Sequence, residues 1–118
     1  MADAALFIGW GQVVRGREKA SLKVFGELVQ LCTSLQQRGE IESFEPVSLE
    51  PHGGDLWGFA LLRGDADKLD RIRHSDEFVR VLNRGSVVVD NIGVVGATVG
   101  AGLQKQFASF EPSIADLV

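Results

Sequence analysis

Apolar residues follow two rhythms along the chain, and the switches between them lay out its elements. From Ala5 to Val14 (ALFIGWGQVV), Leu6, Ile8, Trp10 and Val14 alternate onto one side. Phe7 and Val13 fall on the other, with Gly9 and Gly11 between them. A strand apolar on both sides needs cover on both, which predicts a central strand. The period then lengthens. Leu22, Phe25, Leu28, Val29, Cys32 and Leu35 recur at helical spacing among Lys23, Glu27, Gln30, Gln37 and Arg38, predicting an amphipathic helix from about Arg17 to Arg38. Arg38-Gly39 supplies its stop.

Ile41 to Glu50 (IESFEPVSLE) is strand-like but polar, and Pro46 cannot donate to a ladder, so an edge strand is expected there. Pro51-His52-Gly53-Gly54-Asp55 is a turn cluster. Leu56 to Arg63 is again apolar on both sides and reads as a second central strand. Gly64-Asp65 opens a helical stretch containing Leu69 and Ile72, and Ser75 caps a second one that buries Phe78, Val81 and Leu82. Ser86 to Val99 reads as the last strand. A short helix near Ala101 to Ala108 closes a single domain over residues 1–108, with a mobile tail over 109–118.

This order predicts an α+β chain, a ferredoxin-like βαββαβ sandwich with an antiparallel four-stranded sheet in the order 4-1-3-2. The apolar strands then lie in the centre and the proline-bearing one at an edge. The fourth strand strains the picture. Val87, Val89, Gly93, Val95, Ala97 and Val99 would line one side of it, and Val88, Ile92, Val94 and Gly96 the other. A bare apolar edge of that length invites aggregation. Moreover, both helices cover one side of the sheet only, which leaves residues such as Leu6, Ile8 and Trp10 on the other. A second copy packed sheet to sheet, forming a two-fold homodimer, resolves both problems. Cover by the C-terminal helix and tail is the alternative.

Charge and composition narrow the partners. The 118 residues carry a net charge of -4, with no basic stripe, which argues against nucleic acid or an anionic membrane. Arg71, Arg73, Arg80 and Arg84 are interleaved with Asp65, Asp67, Asp70, Asp76 and Glu77, as on a solvated helix face. Cys32 is the one cysteine, so no intramolecular disulfide forms; its apolar neighbours suggest a buried thiol, with a reactive one as the sharper reading. The start lacks the basic and apolar regions of a signal peptide. The most apolar stretch, Ser86 to Leu103, is broken by Asp90, Asn91 and glycines and does not read as a membrane span. A cytoplasmic protein is expected.

Element order and paired sheet together resemble the dimeric α/β-barrel superfamily, over about Leu6 to Gly100. Ile41 to Phe78, with Glu50-Pro-His-Gly-Gly-Asp55 and His74-Ser-Asp-Glu-Phe78, is similar to small uncharacterised bacterial members of that group. The resemblance implies the fold and the dimer, and no activity. Ser75-x-x-Phe78 is also similar to a helix of the antibiotic-biosynthesis-type and heme-degrading monooxygenases. Heme-degrading members have a Trp three residues before that Ser and a heme-ligating His four residues after the Phe. Here those positions hold Ile72 and Leu82. An isobutyl group cannot ligate iron, so heme degradation is not implied, and no cofactor is expected. Gln12 matches the polar residue of their first strand only with a shifted register.

The chemistry-bearing residues admit two readings each. His52, between Glu50 and Asp55, is a candidate general base with an orienting carboxylate. No second ligand pair lies near it, so a metal site is not expected. Otherwise it marks a hairpin tip in which Gly53-Gly54 supply positive φ and Asp55 bonds the turn. His74 either faces a pocket as a proton-transfer group or caps the preceding helix. Trp10, Trp57 and Phe59, with Phe7, Gly9, Gly11 and Gly58, wall an apolar pocket for a planar ligand or form a core or interface cluster. Gln12 and Arg63 orient a ligand's carbonyl or carboxylate, or simply meet solvent. Gly93, Gly96, Gly100 and Gly102 do not make the dinucleotide fingerprint, no phosphate loop or nucleophile elbow occurs, and there is no tyrosine. Three functions remain: a homodimeric protein that binds a small apolar or aromatic ligand; a cofactor-free monooxygenase or isomerase using His74 or His52; and a protein–protein interaction module.

Overall fold

A computed structural model describes residues 2–118. Its elements run β1 (Ala4–Trp10), α1 (Glu18–Gln37), β2 (Ser43–Ser48), β3 (Gly58–Gly64), α2 (Ala66–Arg73), α3 (Asp76–Val88), β4 (Gly93–Thr98) and α4 (Gly100–Ile114). The sheet order is β2-β3-β1-β4, the expected 4-1-3-2 read from the opposite edge, and every neighbouring pair is antiparallel. Pro46 lies on β2, which pairs with β3 alone. An edge tolerates the missing N–H donor of a proline.

Two side-chain caps start the middle helices. Asp65 accepts from the Lys68 N–H at 3.1 Å to open α2, and Ser75 accepts from the Phe78 N–H at 3.4 Å to open α3. Helix α1 ends where Gly39 takes a φ of +74°. Helices α1 and α3 are clamped together by Arg84, which donates two bonds to the Glu27 carboxylate at 2.7 and 2.9 Å, and by the Arg38–Glu77 pair. Beneath them Leu28, Leu31, Cys32 and Leu35 of α1 meet Phe78 and Val81 of α3 and the inward residues of the central strands. Phe78, Ile8, Leu35, Leu62 and Cys32 are the largest side chains fully out of water.

The covered side of the sheet is the reverse of the expected one. Leu6 and Ile8 lie under the helices. Alternation says which residues share a side, and says nothing of which side the helices choose. The open side instead carries Phe7 of β1, with Leu61 of β3 and Val95 of β4 opposite it in register. Phe59 joins them, its ring stacked on Phe7 with centroids 5.1 Å apart. Val95 is 56% exposed.

The expected last strand is half helix. Helix α3 continues through Ser86 and Val87 to Val88 because Phe78, Val81, Gly85 and Val88 keep one buried face, which outweighs the strand preference of a valine run. The chain then touches the segment after β1, where the Asp90 N–H donates to the Gln12 carbonyl at 2.8 Å and the Gly11 N–H donates to the Asp90 carbonyl at 2.7 Å. Asn91, at φ +56°, turns it into β4. Likewise β1 stops at Trp10, so Gln12, Val13 and Val14 lie beyond the strand, with Val13 bridged to Val89. The final helix is longer than expected. It passes through Pro112 to Ile114, so the start of the expected tail is helical, and it buries no residue. Among the described residues no helix is long and apolar enough to cross a membrane.

Candidate functional site

The feature with the clearest chemical character is a cavity of about 430 Å³ between the sheet and the two main helices. Trp10, the last residue of β1, forms its floor with Ile8. One wall comes from α1 (Val24, Phe25 and Leu28) and another from α3 (Val81, Leu82 and Val88). Pro46 and Ser48 of β2 and Trp57, just before β3, complete it. The Trp57 backbone N–H donates to the Trp10 carbonyl at 2.8 Å, which ties together the two backbone segments that bring both tryptophans to the cavity. Phe25 meets Trp10 edge to face at 6.1 Å.

Glycines near these rings make room for the protein's own aromatic groups. A Cβ at Gly58 would lie 2.8 Å from Trp10 Nε1, so the indole lies across β3 only because that residue has no side chain. At Gly9 a Cβ would lie 2.7 Å from the Phe7 ring on the open side. Gly58 therefore shapes the floor of the cavity through Trp10, whereas Gly9 makes room for Phe7 on the opposite side of the sheet.

The cavity opens to solvent at a rim where Leu22 is 72% exposed and Phe25 and Trp57 are also exposed. Among its lining residues the polar side-chain groups are the hydroxyls of Ser21 and Ser48 and the indole N–H groups of Trp10 and Trp57. The Ser21 hydroxyl donates to the Glu18 carbonyl at 2.7 Å, which leaves its oxygen available as an acceptor. No ionisable side chain lines the cavity. A charged guest would lose hydration with no counter-charge to replace it, whereas an apolar guest gains from leaving water.

On the far side of Trp57 lies a polar cleft lined by Gln12, Glu50, His52, Asp55, Asp90 and Asn91. His52 is held there by both ring nitrogens: Nε2–H donates to the Leu56 carbonyl at 2.8 Å, and Nδ1 accepts from the Gly54 N–H at 3.2 Å. These bonds staple the turn and leave neither nitrogen open to a substrate. Gly53, at φ +82°, completes the tip. His74 sits at the α2–α3 junction, where Nδ1–H donates to the Asp70 carbonyl at 2.9 Å and caps the last turn of α2. It is exposed and lines neither recess.

The residues singled out from the sequence are thus scattered. Trp10 and Trp57 come together at the cavity, and Gln12 lies in the adjoining cleft. Phe59 and Arg63 are on the open side of the sheet, the latter 3.6 Å from Glu45. Leu82, where heme-degrading relatives of the fold would carry their histidine, is part of the cavity wall. The helical contributors Leu22, Phe25, Leu28 and Val81 carry no signal in sequence beyond helical periodicity, which is the signal of any core, and Val88 reads in sequence as part of a strand. Cys32 is buried, and loss of solvation pushes its thiol up to about 11, so it stays protonated at neutral pH. Among the described residues no group of three His, Cys, Asp or Glu is placed to hold a metal ion.

No protein-family model matches the chain, and no curated protein matches it in sequence. Solved structures do match in fold. A dimeric ferredoxin-like protein of unknown function from Jannaschia sp. CCS1 superposes with a TM-score of 0.63 at 15% identity, over 81% of this chain and 98% of its own. An ethyl tert-butyl ether D (EthD) family protein from Bacillus halodurans C-125 gives 0.64 at 8% identity, over 83% and 99%. A DABB family protein with a ferredoxin-like fold from Mesorhizobium loti MAFF303099 gives 0.63 at 10%, over 83% and 98%. At these identities the likeness is one of fold: the chain has the ferredoxin-like fold of small proteins, several of them dimeric and of unknown function.

Proposed function

We propose that the protein is a homodimer, paired through the open side of its sheet, in which each chain holds a small neutral apolar or aromatic molecule in the Trp10–Trp57 cavity. The cavity carries the reading. Its volume falls in the range of small-molecule sites, and its walls are apolar with a few polar groups available to orient a guest. Pairing is supported by the aromatic and aliphatic cluster on the open side and by the dimeric proteins that share the fold. Binding, and not catalysis, is the activity favoured, because no acid or base lines the cavity and His52 has both nitrogens engaged.

Titration with the neutral fluorophore N-phenyl-1-naphthylamine tests the site. One saturable probe per chain is expected, with quenching of tryptophan emission. Ser21→Trp, which places an indole inside the cavity wall, should weaken binding at least tenfold, while Ser21→Ala should leave it within twofold. Equal denaturation midpoints would show that both variants are folded. Absence of saturable uptake, or uptake unaffected by Ser21→Trp, contradicts the reading.

A further inference from the structure

Helix α4 is the part of the molecule with the least contact to its own chain. None of its residues is buried, although its apolar side chains are large and regularly placed. Leu103, Phe107, Phe110, Ile114 and, just past its end, Leu117 follow one another at intervals of four, three, four and three, the spacing of a helix–helix seam. Phe107 and Phe110 are 67% and 62% exposed. An isolated helix of this length is marginal in water and needs an apolar face to dock on.

We infer that α4 is an arm that clasps a second copy of this chain, in addition to the sheet-to-sheet contact. The inference rests on the paired reading above, and three further observations point to a second copy. The exposed area is 7817 Å², where a compact monomer of this mass exposes about 6,300 Å². The excess of roughly 1,500 Å² is more than the ~800 Å² that each partner of a standard interface buries. The radius of gyration, 16.3 Å, exceeds the roughly 13.5 Å of a compact chain of this length, as a projecting arm requires. Finally, α4 leaves directly from β4, the strand that carries Val95 on the open side, so the arm starts at the edge of the surface assigned to pairing. A membrane is the poorer occupant. Lys105, Glu111 and Asp116 are the charged residues from Gly100 onward, and an arm with one cation lacks the basic face that holds amphipathic helices to anionic lipid.

Sedimentation equilibrium of the full chain and of Phe107→Glu/Phe110→Glu tests the inference. The variant leaves the core untouched, because α4 contributes nothing to it. The arm predicts a dimer dissociation constant at least a hundredfold weaker in the variant. A dimeric wild type with an unchanged variant overturns the arm and leaves sheet pairing standing; a monomeric wild type overturns both. In a mixture of 14N- and 15N-labelled chains carrying a benzophenone amino acid at position 107, photo-crosslinks should join peptides of different isotope. Crosslinks confined to one isotope would place the arm on its own chain and overturn the proposal.

Discussion

Single residues here are set by close neighbours more than by chemical type. His52 resembles a base in sequence because two carboxylates flank it, yet in the fold its partners are the Leu56 carbonyl and the Gly54 N–H. Trp10 shows the converse: its role at the cavity depends on Gly58, which lies opposite it across the ladder and yields it space. Glu27 owes its state to Arg84, whose two hydrogen bonds and positive charge hold the carboxyl below its ordinary value of 4.5. A lowered carboxyl pKa contributes stability that is present above the ordinary value and is lost as pH falls through the lowered one. Glu27→Gln should therefore shift the urea midpoint modestly downward at pH 7, with the gap to wild type closing as the pH drops below 4.5. A gap that persists undiminished in acid would show that the pair does not hold α1 to α3.

At the scale of elements, the periodicities name every strand and helix but misplace the end of β1, the junction of α3 with β4 and the end of α4. Helix α1 is legible because Leu28, Leu31, Cys32 and Leu35 must share a face, and β2 because Pro46 belongs at an edge. Ser86-Val87-Val88 is not legible locally. A run of β-branched residues favours a strand, and only the packing of Val88 beside Val81 and Phe78 keeps it helical. The junction that follows depends on Asn91 in a left-handed conformation. Asn91→Val should cost about 1–2 kcal/mol in urea denaturation, while Asn91→Gly should be close to neutral. Equal effects of both would mean that the turn is not what fixes the start of β4. The length of α4 was equally hidden, because a proline inside a helix is usually read as its end, yet α4 passes through Pro112 to Ile114.

For the whole molecule, the sheet order followed from the order of the elements and the handedness of their crossovers, with β1 and β3 in the centre and the polar β2 at the rim as burial requires; β4, apolar yet at the other edge, is what burial alone would not have placed. Which side stayed open did not follow, since that depends on where α1 and α3 come to rest. The same limit applies to the helical walls of the cavity, which sequence reasoning assigns to the core, whereas Trp10 and Trp57 already stood as candidates for a pocket. Two apolar surfaces result, one lined by the cavity walls and one spread over Phe7, Phe59, Leu61 and Val95. The account assigns a small guest to the first and a second copy of the chain to the second. Sedimentation velocity with N-phenyl-1-naphthylamine, followed at both protein and probe wavelengths, tests the two assignments together. The predicted result is one boundary at the mass of two 12.8 kDa chains, carrying one probe per chain. A boundary at the mass of a single chain, or one that moves without probe, would contradict the account.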